Sequence, residues 1–169
     1  MKRIIKSGLL FLIAIVIVGA VVNMRQMIAT KNEQAAKLRQ CPDLSVVQYT
    51  HNPTATMIDS KPTLIILFNP DCEHCQYEAS QLQKRHQEFA KANVYLLTTE
   101  TPIRAQSFAH TYGLDTLPMM HVGTLTPEEA YKAFGPTSVP HLFIYGPDGQ
   151  LRKEYKGATK IEALTKYLQ

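Results

Sequence analysis

The chain opens on an apolar run with no charge in it, Ser7 to Val22 (SGLLFLIAIVIVGAVV), flanked by Lys2, Arg3 and Lys6 before and Arg25 after. A basic start followed by an apolar stretch is either a cleavable signal peptide or an uncleaved anchor. The charge-free core is shorter than the roughly 20 residues of a spanning helix. Ile4, Ile5 and the aliphatic stem of Lys6 lengthen it. The small-residue cleavage signal at Val18-Gly19-Ala20 lies inside the run instead of after it. Residues 1–23 are therefore expected to be an uncleaved transmembrane helix. The basic residues that precede it place the N-terminus in the cytoplasm and the rest of the chain outside the inner membrane. Residues 24–43 turn polar and rich in Ala and Gln, and read as a helical stem that ends before Pro42.

From residue 44 the pattern changes to short apolar runs alternating with helical periodicity, the mark of β-α-β units around a central sheet. Leu44 to Tyr49 is the first expected strand. Thr63 to Phe68 (TLIILF) is continuously apolar, as a strand buried on both faces requires. A helix from Cys72 to Ala90 follows, with Cys75, Ala79, Leu82, His86 and Phe89 at helical spacing. Val94 to Thr98 is a strand, and Thr101-Pro102 opens a helix that Gly113 stops. Met119 to Val122 is a short strand. Thr126-Pro127-Glu128-Glu129 starts another helix with an N-cap, a proline at the first position and acids in the first turn. His141 to Tyr145 and Leu151 to Tyr155 flank the turn Gly146-Pro147-Asp148-Gly149. Ile161, Leu164 and Leu168 mark a terminal amphipathic helix.

Net charge changes the picture once it is located. Residues 1–43 hold seven Lys or Arg and two acids; the remainder holds eleven and twelve. The basic excess belongs to the membrane end, the domain is near neutral with no basic stripe, and nucleic acid is set aside as a partner.

The chemistry concentrates at Cys72 and Cys75. A C-x-x-C at a strand-to-helix junction places two sulfurs within bonding reach across one helical turn. The helix N-terminus favours a thiolate at the first of them. Cys72 is the expected attacking thiolate and Cys75 the resolving thiol. Between them His74, when protonated, favours the thiolate, while Glu73 and the preceding Asp71 oppose it. No second C-x-x-C or H-x-x-x-H is present, so a zinc site lacks its other ligand pair. The rival reading is a copper or cytochrome-maturation metallochaperone, in which the same cysteines, His121 or His141 and the thioethers of Met119 and Met120 take a soft metal. A purely structural disulfide is the third. His51, His86 and His110 read as surface or helix-face residues, His141 as near the sulfurs, and Cys41 as an unpaired thiol or an intermolecular cross-link.

TLIILFNPDCEHC (63–75), then Ser138-Val139-Pro140-His141-Leu142-Phe143-Ile144, then Gly146-Pro147-Asp148-Gly149, together resemble the thioredoxin superfamily. The added strand and helix between Met119 and Gly135 resemble its membrane-anchored, TlpA-like redoxin branch. The resemblance spans 63–169. It implies a thioredoxin-like α/β fold over 44–169, with a central mixed sheet flanked by helices. It implies a thiol–disulfide oxidoreductase with Cys72 and Cys75 catalytic, needing neither cofactor nor metal. Glu73, His74, Val139 and Pro140 would support the site. Val139–Pro140 would be a cis peptide against the cysteines, pairing with substrate backbone. Cysteine-containing exported proteins and a membrane electron donor are the implied partners. Two positions depart from the family: Asp71 replaces the tryptophan common before the first cysteine, and Ile66 replaces a buried acid that exchanges protons with the resolving thiol. Glu73, His74 or water remain as proton acceptors.

Overall fold

The computed structural model describes residues 2–51 and 61–168, without the side chains of residues 2–14, 34 and 51. The chain divides into two compact units, Met1–Lys37 and Leu38–Gln169. The first is formed by helix α1, Lys2–Leu38, which runs through the segment of the expected anchor and ends inside the expected stem. Ile15, Val16, Ile17, Val18, Met24 and Met27 are all exposed on it. Among the described residues no helix is long and apolar enough to cross a membrane; the first half of the expected span lies where side chains are not described.

The second unit contains β1 (Gln48–His51), β2 (Thr63–Leu67), α2 (Glu73–Lys84), β3 (Asn93–Thr98), α3 (Pro102–Thr111), β4 (Met120–Thr124), α4 (Pro127–Phe134), β5 (His141–Tyr145), β6 (Leu151–Lys156) and α5 (Ile161–Thr165). Six strands form one mixed sheet in the order β1-β4-β3-β2-β5-β6. β2, β3 and β4 run parallel to one another; β1, β5 and β6 pair antiparallel to their neighbours. This is the thioredoxin-like α/β fold expected, with helices flanking a central mixed sheet.

Successive strand residues point to opposite faces, and the core divides accordingly. Leu64, Ile66, Val94, Leu96, Leu142 and Ile144 pack with α2, α3 and α5 on the first face. Ile65, Leu67, Tyr95, Leu97, Phe143 and Tyr145 pack with α4 and the segment before β1 on the second. Cys75 belongs to the first face.

Several boundaries differ from the periodicity reading. Leu44 and Val47 are buried but lie in a turn ahead of β1, not in a strand. Asp43 accepts hydrogen bonds from the Ser45 backbone N–H and hydroxyl, each 2.8 Å, and this Asx turn bends the segment into a plug. α2 ends at Lys84, where Arg85 leaves helical geometry, and a 3₁₀ turn from His86 to Phe89 completes the stripe. β4 begins at Met120 and runs on to Thr124. The end of the expected stem is stitched to the β5–β6 hairpin. There Cys41 N–H donates to Gly149 O and Leu151 N–H to Arg39 O, both at 2.8 Å.

Candidate active site

β2 ends in a tight loop that delivers the cysteines. The Asn69 side-chain carbonyl accepts from Asp71 N–H (2.8 Å), and Cys72 N–H donates to Asn69 O (3.1 Å). Cys72 is the extended N-cap of α2, and no side chain caps the helix there. The orphan N–H groups and the positive dipole end of α2 therefore face this sulfur. Cys72 is half-buried and open to approach. Cys75, one turn in, is 2% exposed. Both are free thiols. Burial pushes the Cys75 thiol up to about 12; a hydrogen bond from the Asn69 backbone opposes this, while Cys72 and Glu78 reinforce it.

Across from the pair, Val139–Pro140 is cis. The Cys72 thiol lies 3.8 Å from the Val139 carbonyl oxygen. Val139 is exposed at this edge, while Pro140 is buried and its carbonyl accepts from Gly157 N–H at 2.8 Å. The structure thus brings Cys72, Cys75 and Val139 together. Glu73 and His74 stand exposed at the first turn of α2.

A buried acid does stand near the pair, at Glu78 instead of position 66, and its charge acts on the Cys75 thiol. It lies three residues after Cys75 on the same face of α2 and is 1% exposed. Thr159 N–H donates to one carboxylate oxygen (2.9 Å), and the other finds no partner among the described residues. Burial raises the carboxyl to about 7, with the Thr159 bond opposing. A carboxyl raised in this way holds or gives up a proton near neutral pH. Sequence reasoning passed over it, although an acid three residues from Cys75 and four before Leu82, inside an apolar stripe, was the available signal.

The second departure also resolves. Asp71 is tied to Arg104 of α3 at 2.6 Å; Arg104 reaches Glu100 at 3.4 Å, and Glu100 accepts from the Asn69 amide at 3.0 Å. This network pins the loop before Cys72.

The ligand set of the metal reading is not assembled. His121 stacks on Tyr95 with ring centroids 4.8 Å apart, and His141 lies 4.2 Å from the Phe143 ring, both on the second face. His141 also meets Glu154 at 2.7 Å, and burial holds its imidazole below the usual range. It is therefore not near the sulfurs, because β5 alternation turns it away from them. Met120 is buried in the first-face core. Among the described residues no group of three His, Cys, Asp or Glu could hold a metal ion. His110 pairs with Asp115 at the surface, and His86 is half-buried beside Gln83. The side chain of His51 lies outside the described residues. Cys41 packs against the second face, its thiol pushed up to about 12 by burial.

A mixed sheet carrying a dithiol at a strand-to-helix junction, beside a cis-proline loop, defines a thioredoxin-like oxidoreductase. The chain belongs to the AhpC/TSA family, which matches residues 38–154. No curated protein matches the sequence. Among solved structures, a Corynebacterium glutamicum thiol-disulfide isomerase is similar with a TM-score of 0.64 over 77% of this chain and 96% of its own, at 17% identity. A secreted Mycobacterium tuberculosis disulfide oxidoreductase homologous to E. coli DsbE gives 0.56 over 66% and 83%, at 17% identity. StoA from Bacillus subtilis gives 0.55 over 65% and 84%, at 15% identity. At these identities the likeness carries the fold.

Proposed function

We propose that this protein is a membrane-anchored, extracytoplasmic thiol–disulfide oxidoreductase that reduces or exchanges disulfides of exported proteins through Cys72 and Cys75. The observation that carries the reading is the open Cys72 thiol at the α2 N-terminus, 3.8 Å from the Val139 carbonyl, with Cys75 and Glu78 buried behind it.

In the reductive direction the Cys72 thiolate attacks one sulfur of a substrate disulfide. A bond forms between Cys72 Sγ and that sulfur, and the other substrate sulfur leaves as a thiolate. Glu78 takes the proton of the Cys75 thiol. The Cys75 thiolate then attacks Cys72 Sγ, forming the Cys72–Cys75 disulfide and expelling the second substrate thiolate. Two electrons pass from the dithiol to the substrate, and a membrane partner must return them. Val139 offers backbone to an extended substrate chain beside the attacked sulfur. Glu73 and His74 set the charge of the exposed rim.

The reductive direction rests on charge. Burial and the Glu78 carboxylate both raise the Cys75 thiol, which disfavours its thiolate relative to a neutral disulfide. A reduced state that is not stabilised makes a reductant; a stabilised one makes an oxidant. Anchoring rests on Lys2, Arg3 and Lys6 ahead of the apolar run and on the exposed apolar side chains of α1. The test of the reading is equilibration with glutathione redox buffers. The Cys72–Cys75 pair should settle nearer about −270 mV than about −120 mV. A value near the latter would reverse the direction, and failure to form the disulfide would remove the function.

A further inference from the structure

Beside the cysteine loop lies a cavity that the exchange chemistry does not use. Its volume is about 280 Å³, and its walls come from the loop and first turn of α2 (Pro70, Gln76) and from one face of α3 (Arg104, Ser107, Phe108, Tyr112). Its floor is aromatic: the Phe108 and Tyr112 rings meet at 4.8 Å, and Phe108 leans on Phe68 at 4.5 Å. Gln76 spends its amide on Pro70 O at 2.8 Å, which keeps that wall rigid. The volume falls under the roughly 300–1,000 Å³ of small-molecule sites and suits one large side chain.

The rim carries a charge preference. Arg104, the one charged residue of the lining, is already held by Asp71 and Glu100. An acidic partner side chain would have to displace an existing pair, whereas a basic one meets two carboxylates that share a single guanidinium. The wall residue Pro70 is two residues from Cys72, at most roughly 7 Å of backbone. An extended partner advances roughly 3.3 Å per residue. A side chain in the cavity therefore belongs two or three residues from the cysteine being attacked.

We propose that this cavity is a docking pocket for the polypeptide whose disulfide is exchanged, and that it takes an aromatic side chain two or three residues from the partner cysteine, next to a basic residue. The proposal rests on Cys72 being the exchanging thiol, and it adds substrate selection from the α3 side of the loop.

The test uses the reduced full-length protein in detergent micelles and synthetic peptides carried as mixed disulfides with glutathione. The parent peptide is acetyl-Lys-Phe-Ala-Cys-Ala-amide; its comparison replaces Phe by Ala and Lys by Glu. In each reaction the dithiol becomes the Cys72–Cys75 disulfide while one peptide thiol and one glutathione are released. The parent should react at least about tenfold faster, the discrimination a well-fitted apolar pocket provides. Ser107→Trp fills the cavity and should bring the ratio of the two rates close to one. Thr111→Trp closes the same space from the next turn of α3 and reads the same ratio should the first variant not fold. Equal rates for the two peptides, or a preference that survives the filled cavity, would overturn the pocket. If the protein reduces glutathione disulfide yet shows no peptide preference, the pocket alone is lost. If it reduces neither, the exchange reading falls and the pocket with it.

Discussion

Replacing Glu78 with glutamine removes a buried charge while keeping the side chain's shape and its acceptor for Thr159 N–H. In the folded chain the Glu78 carboxyl sits at about 7 against an ordinary 4.5, raised by burial. The folded state therefore holds this proton more tightly than the unfolded one. That contribution to stability is fully present below pH 4.5 and is lost as pH rises through about 7. At about 1.4 kcal/mol per unit the displacement amounts to about 3 kcal/mol. Urea unfolding followed by circular dichroism between pH 4.5 and 9 reads this directly. The parent should lose about 3 kcal/mol more than Glu78→Gln over that interval, every other titrating group being common to both. The same substitution should slow release of a substrate from Cys72 by roughly 100- to 10,000-fold near neutral pH, the range for losing a positioned base, and leave mixed-disulfide formation nearly unchanged. Stability gained at high pH with activity lost is the signature of a buried functional acid. Parallel pH profiles for the two proteins would refute the assignment.

Gly123 in β4 leaves no room for a methyl group: an added Cβ would strike the Val47 side chain and come within 3.1 Å of Gln48 O. Gly123→Ala should cost roughly 1–3 kcal/mol in chemical unfolding by overpacking, with the exchange rate of the folded fraction unaffected. Cys41, with its thiol raised to about 12 and packed on the second face, should resist iodoacetamide at pH 8, and Cys41→Ser should preserve disulfide exchange within about twofold. A reporter active only outside the cytoplasm, fused after Gln169, should be active with the chain in the membrane fraction. A soluble, shortened chain beginning near Val21 would remove the anchor and leave export standing.

Most of the sheet was legible because buried strands announce themselves: TLIILF and HLFIY are too apolar to lie anywhere but between two layers. The C-x-x-C, the Val-Pro preceding a strand and the P-D-G turn located the site, since each has a narrow structural meaning. β1 was misplaced because Leu44 and Val47 are core residues held by an Asx turn, and periodicity alone does not separate a plug from a strand. His141 was drawn toward the sulfurs by its neighbour Pro140, while strand alternation sends its side chain to the opposite layer. Glu78 was hidden by a sound prior, that acids on helices face water; only its place in the Cys75–Leu82 stripe argued otherwise. The Asp71–Arg104–Glu100–Asn69 network joins residues more than thirty positions apart, and no local pattern encodes such a pairing.

The central claim is that Cys72 attacks and Cys75 resolves. Cys75→Ser, mixed with disulfide-bearing exported proteins and quenched in acid, should accumulate mixed disulfides that peptide mass spectrometry places on Cys72, because no second thiol remains to release them. Cys72→Ser should trap nothing. Adducts found on Cys75 in the Cys72→Ser protein, with none on Cys72 in the Cys75→Ser protein, would contradict the assignment of both sulfurs.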